Sequence, residues 1–257
     1  MYSNWINNDN YFDDLAVFGL GFFHPGGMKR TKEICESRNW ADIKVLDIGC
    51  GIGTTIKMLS MMGAEVYGLD RSQYMIRGAE LNGIPKQNLF CSDATKLPNF
   101  TNNFDVIILE GVIGFIEEPV KLIRNLTNCL SYNGEIIISD WEPHDRNITD
   151  FDDQYGFNVY GNTKLAELSN RLYSKPENIR VRIELDEAKS FNLTLDHSIT
   201  RVHSFFNLDG IQDDHIPAII RKLEKMKSVL QESIECMSYI MVLSENELNK
   251  KMQLDAD

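Results

Sequence analysis

Between residues 45 and 55 the chain reads Val45-Leu46-Asp47-Ile48-Gly49-Cys50-Gly51-Ile52-Gly53-Thr54-Thr55, an apolar run followed by three glycines at every second position. Glycines at that spacing let a ligand approach the backbone without meeting a side chain, and they supply turn conformations closed to other residues. The dinucleotide fingerprint G-x-G-x-x-G would need glycine at position 54, where Thr54 stands. Asp47 comes just before the glycines, where a pyrophosphate would meet like charge, so a cationic ligand suits it better. Asp70 ends the next apolar run, at a distance that fits a carboxylate accepting hydrogen bonds from ribose hydroxyls. Asp93 follows the run after that, within reach of an adenine amino group.

These carboxylates need a sheet to hold them. Lys44–Ile48, Glu65–Leu69, Asn88–Cys91 and Val106–Leu109 read as strands, and so does Glu135–Ser139 after an Asn133-Gly134 turn. Between them lie helical patterns at Thr54–Met62, Ser72–Asn82 and Pro119–Leu130. Ser72 is an N-cap in the second, and Val120, Ile123, Leu126 and Leu130 share one face in the third. Strands alternating with helices at this pitch predict a parallel, doubly wound α/β sheet. A helix near Lys29–Asn39 precedes it. Past Asp140 the pattern loosens: a short helix at Lys164–Tyr173, a weak strand at Phe191–Leu195, an amphipathic helix at His215–Ile234 and a closing strand at Ser238–Leu243 are expected.

With these residues in place, the chain resembles the class I S-adenosylmethionine-dependent methyltransferases from Lys44 to Trp141. Asp47 to Gly53 looks like that family's first motif, Asp70 like its ribose-binding acid, and Ser92-Asp93-Ala94 like its adenine-contacting motif. Phe104 to Gly111 is similar to the strand that passes under the methionine part. Leu130-Ser131-Tyr132-Asn133-Gly134 resembles a common L-x-x-G-G turn, with Asn133 in place of a glycine. His24-Pro25-Gly26-Gly27 resembles an element found ahead of the core in some small-molecule members.

The resemblance implies a Rossmann-like, doubly wound, seven-stranded sheet, mostly parallel with its last strand antiparallel, plus helical cap segments. It implies one methyltransferase domain over residues 1–257, with an N-terminal extension at 1–40, a nucleotide-binding half at 41–141, and cap segments with closing strands at 142–257. The implied cofactor is S-adenosyl-L-methionine. Its implied binding residues are Asp47, Gly49, Cys50, Gly51, Gly53, Asp70, Arg71, Asp93, Ala94 and Glu110, together with Gly27. Methyl transfer from a sulfonium needs alignment and exclusion of water more than it needs a base. If a base is used, His144 after the fifth strand is the first choice and His24 the second.

Charge and loop sequence narrow the acceptor. The net charge is −12, which disfavours a phosphate backbone, and Glu110-Gly111-Val112-Ile113 is not the Asn/Asp-Pro-Pro-Tyr/Phe sequence of nitrogen-base methylation. The expected partner is therefore a small organic molecule and not nucleic acid. Asp140, Glu142, His144 and Asp145 crowd the end of the fifth strand but read as a solvated loop, so no metal is expected. The five cysteines contain no C-x-x-C pair. The longest apolar run, Phe104 to Ile116, is too short for a bilayer, and Met1 to Trp5 lacks a basic start. A cytoplasmic, non-membrane protein is expected, with His215–Ile234 serving as a cap or a homodimer contact. Rival readings are methylation of a peptide side chain, a non-catalytic cofactor-binding protein, and another use of the bound sulfonium such as cyclisation.

Overall fold

The computed structural model describes residues 21, 24, 26–100, 104–142, 180–184, 195–203, 217, 220, 221, 223, 224, 227, 228 and 237–244. In chain order its elements are α1 (Gly27–Glu36), β1 (Lys44–Ile48), α2 (Thr54–Met61), β2 (Glu65–Asp70), α3 (Gln73–Leu81), β3 (Leu89–Cys91), β4 (Phe104–Glu110), α4 (Pro119–Thr127), β5 (Leu130–Glu142), β6 (Arg180–Glu184) and β7 (Met237–Ser244). Strands β3-β2-β1-β4-β5 lie side by side in that order and all run parallel. Beyond β5 the sheet continues through β7, antiparallel to it, to β6. The order reverses between β1 and β4, so a crevice opens outside their carboxyl ends, the position where open α/β sheets bind ligands.

Alternation along each strand explains the two layers. Val45, Val66, Val106, Ile108 and Ile137 pack under α1, α2 and α3, meeting Ile34, Ile56, Leu59 and Ala79. Their neighbours Leu46, Leu69, Ile107, Leu109 and Ile136 face α4, meeting Val120, Ile123 and Leu126. A parallel sheet buried on both faces needs such continuous apolar strands. At its lower edge Tyr67, Phe90, Phe100 and Phe104 interlock, with ring centroids 5.0 to 6.4 Å apart. Trp40, fully buried, donates its indole N–H to the Cys35 carbonyl at 2.7 Å and ties the loop after α1 back onto that helix.

Several boundaries move from the sequence reading. The helix near Lys29–Asn39 runs from Gly27 to Glu36. Helix α4 stops at Thr127, and Leu130 belongs to β5, paired with Phe104, because the Phe104 amide takes the Cys129 carbonyl at 2.7 Å and draws the chain onto β4. The Asn133-Gly134 turn is then an excursion inside β5, with Asn133 at φ 64° and the register resuming at Val106 opposite Glu135. Leu195, expected to end a strand, opens a helix at 195–203 and is fully buried with Val202. Residues 191–194 and the expected helix at 164–173 lie outside the described residues. Strand β6 was passed over, although Arg180-Val181-Arg182-Ile183-Glu184 alternates polar and apolar residues.

The two-sided burial makes a contrast that thermal or denaturant unfolding can check. Leu126→Ala, at a fully buried position on α4, is expected to cost about 2–5 kcal/mol. Tyr132→Ala, in the turn within β5 and 82% exposed, is expected to stay within about 0.5 kcal/mol of wild type. Equal effects at the two positions would contradict the layer assignment.

Candidate functional site

The glycine loop is built by pinning it from two directions. The Gly49 and Cys50 amides both donate to the Leu69 carbonyl, at 2.7 and 3.1 Å, which ties the loop to the end of β2. From the other side, the Asn82 side-chain amide donates to the Ile52 carbonyl at 2.8 Å. Gly53 caps α2 at φ 76°, and a Cβ there would come within 2.9 Å of Ile84 and 3.3 Å of Ala79, so glycine lets α2 and α3 close together. Gly51 is different. It has φ 54°, and a Cβ on it would meet only Met75 Sδ, 3.9 Å away, so its bare face is turned to open space.

That space is a cavity of about 390 Å³ at the carboxyl ends of β1, β2, β3 and β4. Of the residues expected to bind a cofactor, Asp47, Gly49, Cys50, Gly51, Asp70, Arg71, Asp93, Ala94 and Glu110 line it. Gly53 and Gly27 do not: Gly53 faces α3, and Gly27 opens α1 with its amide on the His24 carbonyl at 3.0 Å. His24 does line the cavity, whereas His144 lies outside the described residues. Gly21, Thr54, Thr55, Ser72, Val112 and Phe115 complete much of the wall. Ser72 was legible as the N-cap of α3, and its hydroxyl accepts from the Met75 amide at 3.2 Å.

Each carboxylate is held in its own way. Asp70 takes the Gly51 amide on one oxygen at 2.9 Å and the Ser72 amide on the other at 2.8 Å, joining the glycine loop to the start of α3. Asp93 takes the hydroxyl and the amide of Thr95, at 2.6 and 2.8 Å, and those bonds together with nearby Arg71 and Lys96 hold its acidity below the usual carboxylate range. Glu110, buried at the end of β4, accepts from Thr55 Oγ1 at 3.0 Å and from Thr31 Oγ1 at 3.2 and 3.3 Å. His24 Nδ1 lies 3.5 Å from Glu110 Oε1, and His24 Nε2 lies 3.0 Å from Thr31 Oγ1.

Asp47 is only 3% exposed. Burial, then the charges of Glu110 and Asp70, push its carboxyl well above the usual range. The Cys50 thiol is pushed well up by burial and then by Asp47, so it serves as a small loop residue and not as a nucleophile. Among the described residues, five carboxylates line the cavity (Asp47, Asp70, Asp93, Glu110 and Glu117), against one guanidinium, Arg71, and one imidazole, His24. A pyrophosphate would be repelled by that set, and a ligand carrying positive charge beside Asp47 and Glu110 would be held.

Asp140, expected in a solvated loop, is instead buried within β5 and accepts the Gly114 amide at 3.1 Å, and residues 143–145 lie outside the described residues. Among the described residues no group of three or more His, Cys, Asp or Glu side chains is set to hold a metal ion. Among them, too, no helix is long and apolar enough to cross a membrane. Lys227, on the amphipathic helix, bonds Asp196.

Residues 46–138 match the family model described as "Methyltransferase domain". Phosphoethanolamine N-methyltransferase 1 of Arabidopsis thaliana is 36% identical over 133 residues, which are 49% of this chain and 26% of that protein. The chain thus spans about a quarter of the length of that curated relative. Among solved structures, a Haemonchus contortus phosphoethanolamine N-methyltransferase 2, in complex with phosphomonomethylethanolamine and S-adenosylhomocysteine, superposes with a TM-score of 0.69 at 16% identity, covering 94% of this chain and 58% of that one. The [4+2]-cyclase SpnF superposes with a TM-score of 0.63 at 17% identity, covering 91% and 92% of the two chains. The fold is the α/β Rossmann-like one of these structures, and residues 46–138, from β1 into β5, are the stretch that matches the methyltransferase-domain model.

Asp47 generates a prediction for the ligand-free chain. Its folded carboxyl titrates above its unfolded value, so in the window between them the folded chain keeps a proton that the unfolded chain has lost. Stability from this group therefore falls as pH rises through that window. Asp47→Asn removes the titrating group, so the variant should become more stable than wild type as pH rises through that window. The gap between variant and wild type should widen with pH. Melting curves over that range in which the variant is never the more stable would contradict the buried-charge account.

Proposed function

We propose that the chain is an S-adenosyl-L-methionine-dependent methyltransferase acting on a small organic acceptor in an enclosed pocket. The observation that carries this reading is the set of acids around the glycine loop: Asp47, Asp70 and Asp93 at or just beyond the carboxyl ends of β1, β2 and β3, with Glu110 beside them on β4. The residues fit the cofactor as a donor set. Asp70 would take ribose hydroxyls, Asp93 with Ala94 would meet adenine, and the uncovered face of Gly51 would pass beneath the nucleoside. Asp47 and Glu110 would hold the positively charged methionine end. Bound there, the cofactor supplies an activated methyl group on a sulfonium.

What the chain itself does in this reading is bind, orient and exclude water. The sheet is taken to be the seven-stranded one of the class I fold, completed by antiparallel β7. Elements after β5 would cap the acceptor, and His144 remains the proposed base there. A small amine goes first among acceptors because the curated relative is an ethanolamine-type N-methyltransferase, with the shared stretch covering the nucleotide-binding half. A second reading, that the chain uses this fold and cofactor site for a cyclisation, has one specific support: the [4+2]-cyclase matches nearly the whole length of both chains. A cytoplasmic location and a homodimer contact through the amphipathic helix belong to the same reading.

Calorimetric titration with S-adenosylmethionine and S-adenosylhomocysteine, against NAD as control, is the direct test. Micromolar binding of the first two and none of NAD is expected, and the reverse pattern would overturn the proposal. Asp70→Asn should weaken binding about tenfold to a hundredfold, from the loss of charged hydrogen bonds worth about 1.5–3 kcal/mol. An affinity within about twofold of wild type would remove Asp70 from the ribose.

A further inference from the structure

Of the two Asn-Gly steps in the chain, Asn82-Gly83 and Asn133-Gly134, the first supports a wall of the cavity. The Asn82 side-chain amide donates to the Ile52 carbonyl at 2.8 Å, and Ile52 lines the cavity. That bond holds the glycine loop from the end of α3, whereas the bonds to Leu69 and Asp70 hold it from β2. An Asn-Gly step is also where a chain most readily modifies itself, because glycine leaves its amide nitrogen unhindered for attack on the preceding side chain. Gly83 is exposed at φ 90°, and a Cβ built on it would have nothing within 4 Å, so there is room beside it for a succinimide ring. Lys57 Nζ donates to the Asn82 main-chain carbonyl at 3.3 Å. A cation on that oxygen favours loss of the proton from the same peptide group, the Gly83 N–H. The Gly83 amide is held on the Glu80 carbonyl at 3.0 Å, so the reaction waits on local opening of the end of α3.

We propose that Asn82-Gly83 is a self-modification site, where deamidation of Asn82 frees the glycine loop from α3 and weakens the hold on the cofactor. The effect on the cofactor rests on the S-adenosylmethionine reading, while the modification and the loosening of the loop do not. In the first step the Gly83 nitrogen bonds to the Asn82 side-chain carbonyl carbon, and the C–N bond of the side-chain amide breaks. The amide leaves as ammonia, carrying the Gly83 proton. Water then opens the succinimide at either carbonyl, giving aspartate or isoaspartate, and nothing is oxidised or reduced. Either product carries a carboxylate, which has no hydrogen to give the Ile52 carbonyl and offers it only lone pairs. Lys57 supplies the new charge with a partner other than Ile52. Asn133-Gly134 differs in consequence: it lies in the turn within β5, and neither residue lines the cavity.

The test ages the full chain in mildly alkaline buffer, in an Asn133→Gly background that suits the φ of 64° and leaves Asn82-Gly83 as the one remaining Asn-Gly step. Peptide mapping by mass spectrometry should show amide-to-acid conversion at Asn82, and the Kd for S-adenosylmethionine should rise in step with it. Asn82→Asp, made directly, should raise that Kd roughly threefold to tenfold through the loss of one hydrogen bond. In the ligand-free variant, amide hydrogen exchange should quicken at residues 49–53 and stay at the wild-type rate in β4 and β5, a local change that general destabilisation would not produce. Should Asn82→Asp not fold, the aged chain supplies the same two comparisons. An Asn82 still intact when other asparagines have begun to convert overturns the site. A converted chain that matches the unconverted one in loop exchange or in Kd overturns its consequence. If the unaged chain does not bind S-adenosylmethionine, the cofactor reading fails, while peptide mapping and loop exchange still decide this one.

Discussion

Two carboxylates buried at the ends of adjacent strands, Asp47 on β1 and Glu110 on β4, set the terms for everything around them. Like charges in a low-dielectric crevice are costly unless each is neutralised or surrounded by donors. The structure treats them differently. Glu110 receives two threonine hydroxyls and a histidine, drawn from α1, α2 and the turn before α1. Asp47 is left to burial and repulsion, which push its carboxyl up. A site with one acid satisfied and its neighbour strained favours the arrival of positive charge, because a cation relieves both the desolvation and the repulsion. Affinity for a cationic ligand is in this sense stored in the buried acids themselves.

That stored affinity is useful only if the walls hold still, and Asp70 is the residue that fixes them. Its two oxygens join the glycine loop to the first turn of α3, while two loop amides are bonded back to Leu69. The same carboxylate is proposed to read the ribose, so one side chain serves both as strut and as recognition group. This explains why Asp70→Asn is a cleaner probe than a truncation. Asparagine preserves the shape and one acceptor, whereas alanine would also release the loop from α3.

The half of the chain up to β5 was legible because its demands fall on the backbone. A strand buried on both faces must be apolar throughout, a loop that passes close to a ligand must be glycine, and a helix start must be capped, as at Ser72. These requirements leave marks at fixed spacings. The Glu110 network left none, since Thr31 and Thr55 are ordinary helix residues whose meaning depends on where α1 and α2 cross β4. His24 was noticed as a candidate base, but its pairing with Glu110 spans the sequence from before α1 to the end of β4. The extent of β5 was misjudged for a similar reason: its first residue is recruited by an amide on β4, a contact that no local pattern announces.

The comparisons divide along the same line. The family match runs from 46 to 138, ending on β5 just before Ser139, whose carbonyl accepts the Gly111 amide beside the cavity. Likeness of fold reaches 94% of the chain at an identity of 16%. Both follow from what each part must do. The glycine loop and the acids at the strand ends need particular residues at particular steps. Extending a sheet through β7 and β6 requires only strands able to pair, as Glu135–Glu142 does with Met237–Ser244. Many sequences meet that condition, which leaves the part of the chain after β5 free to change while the half before it stays recognisable.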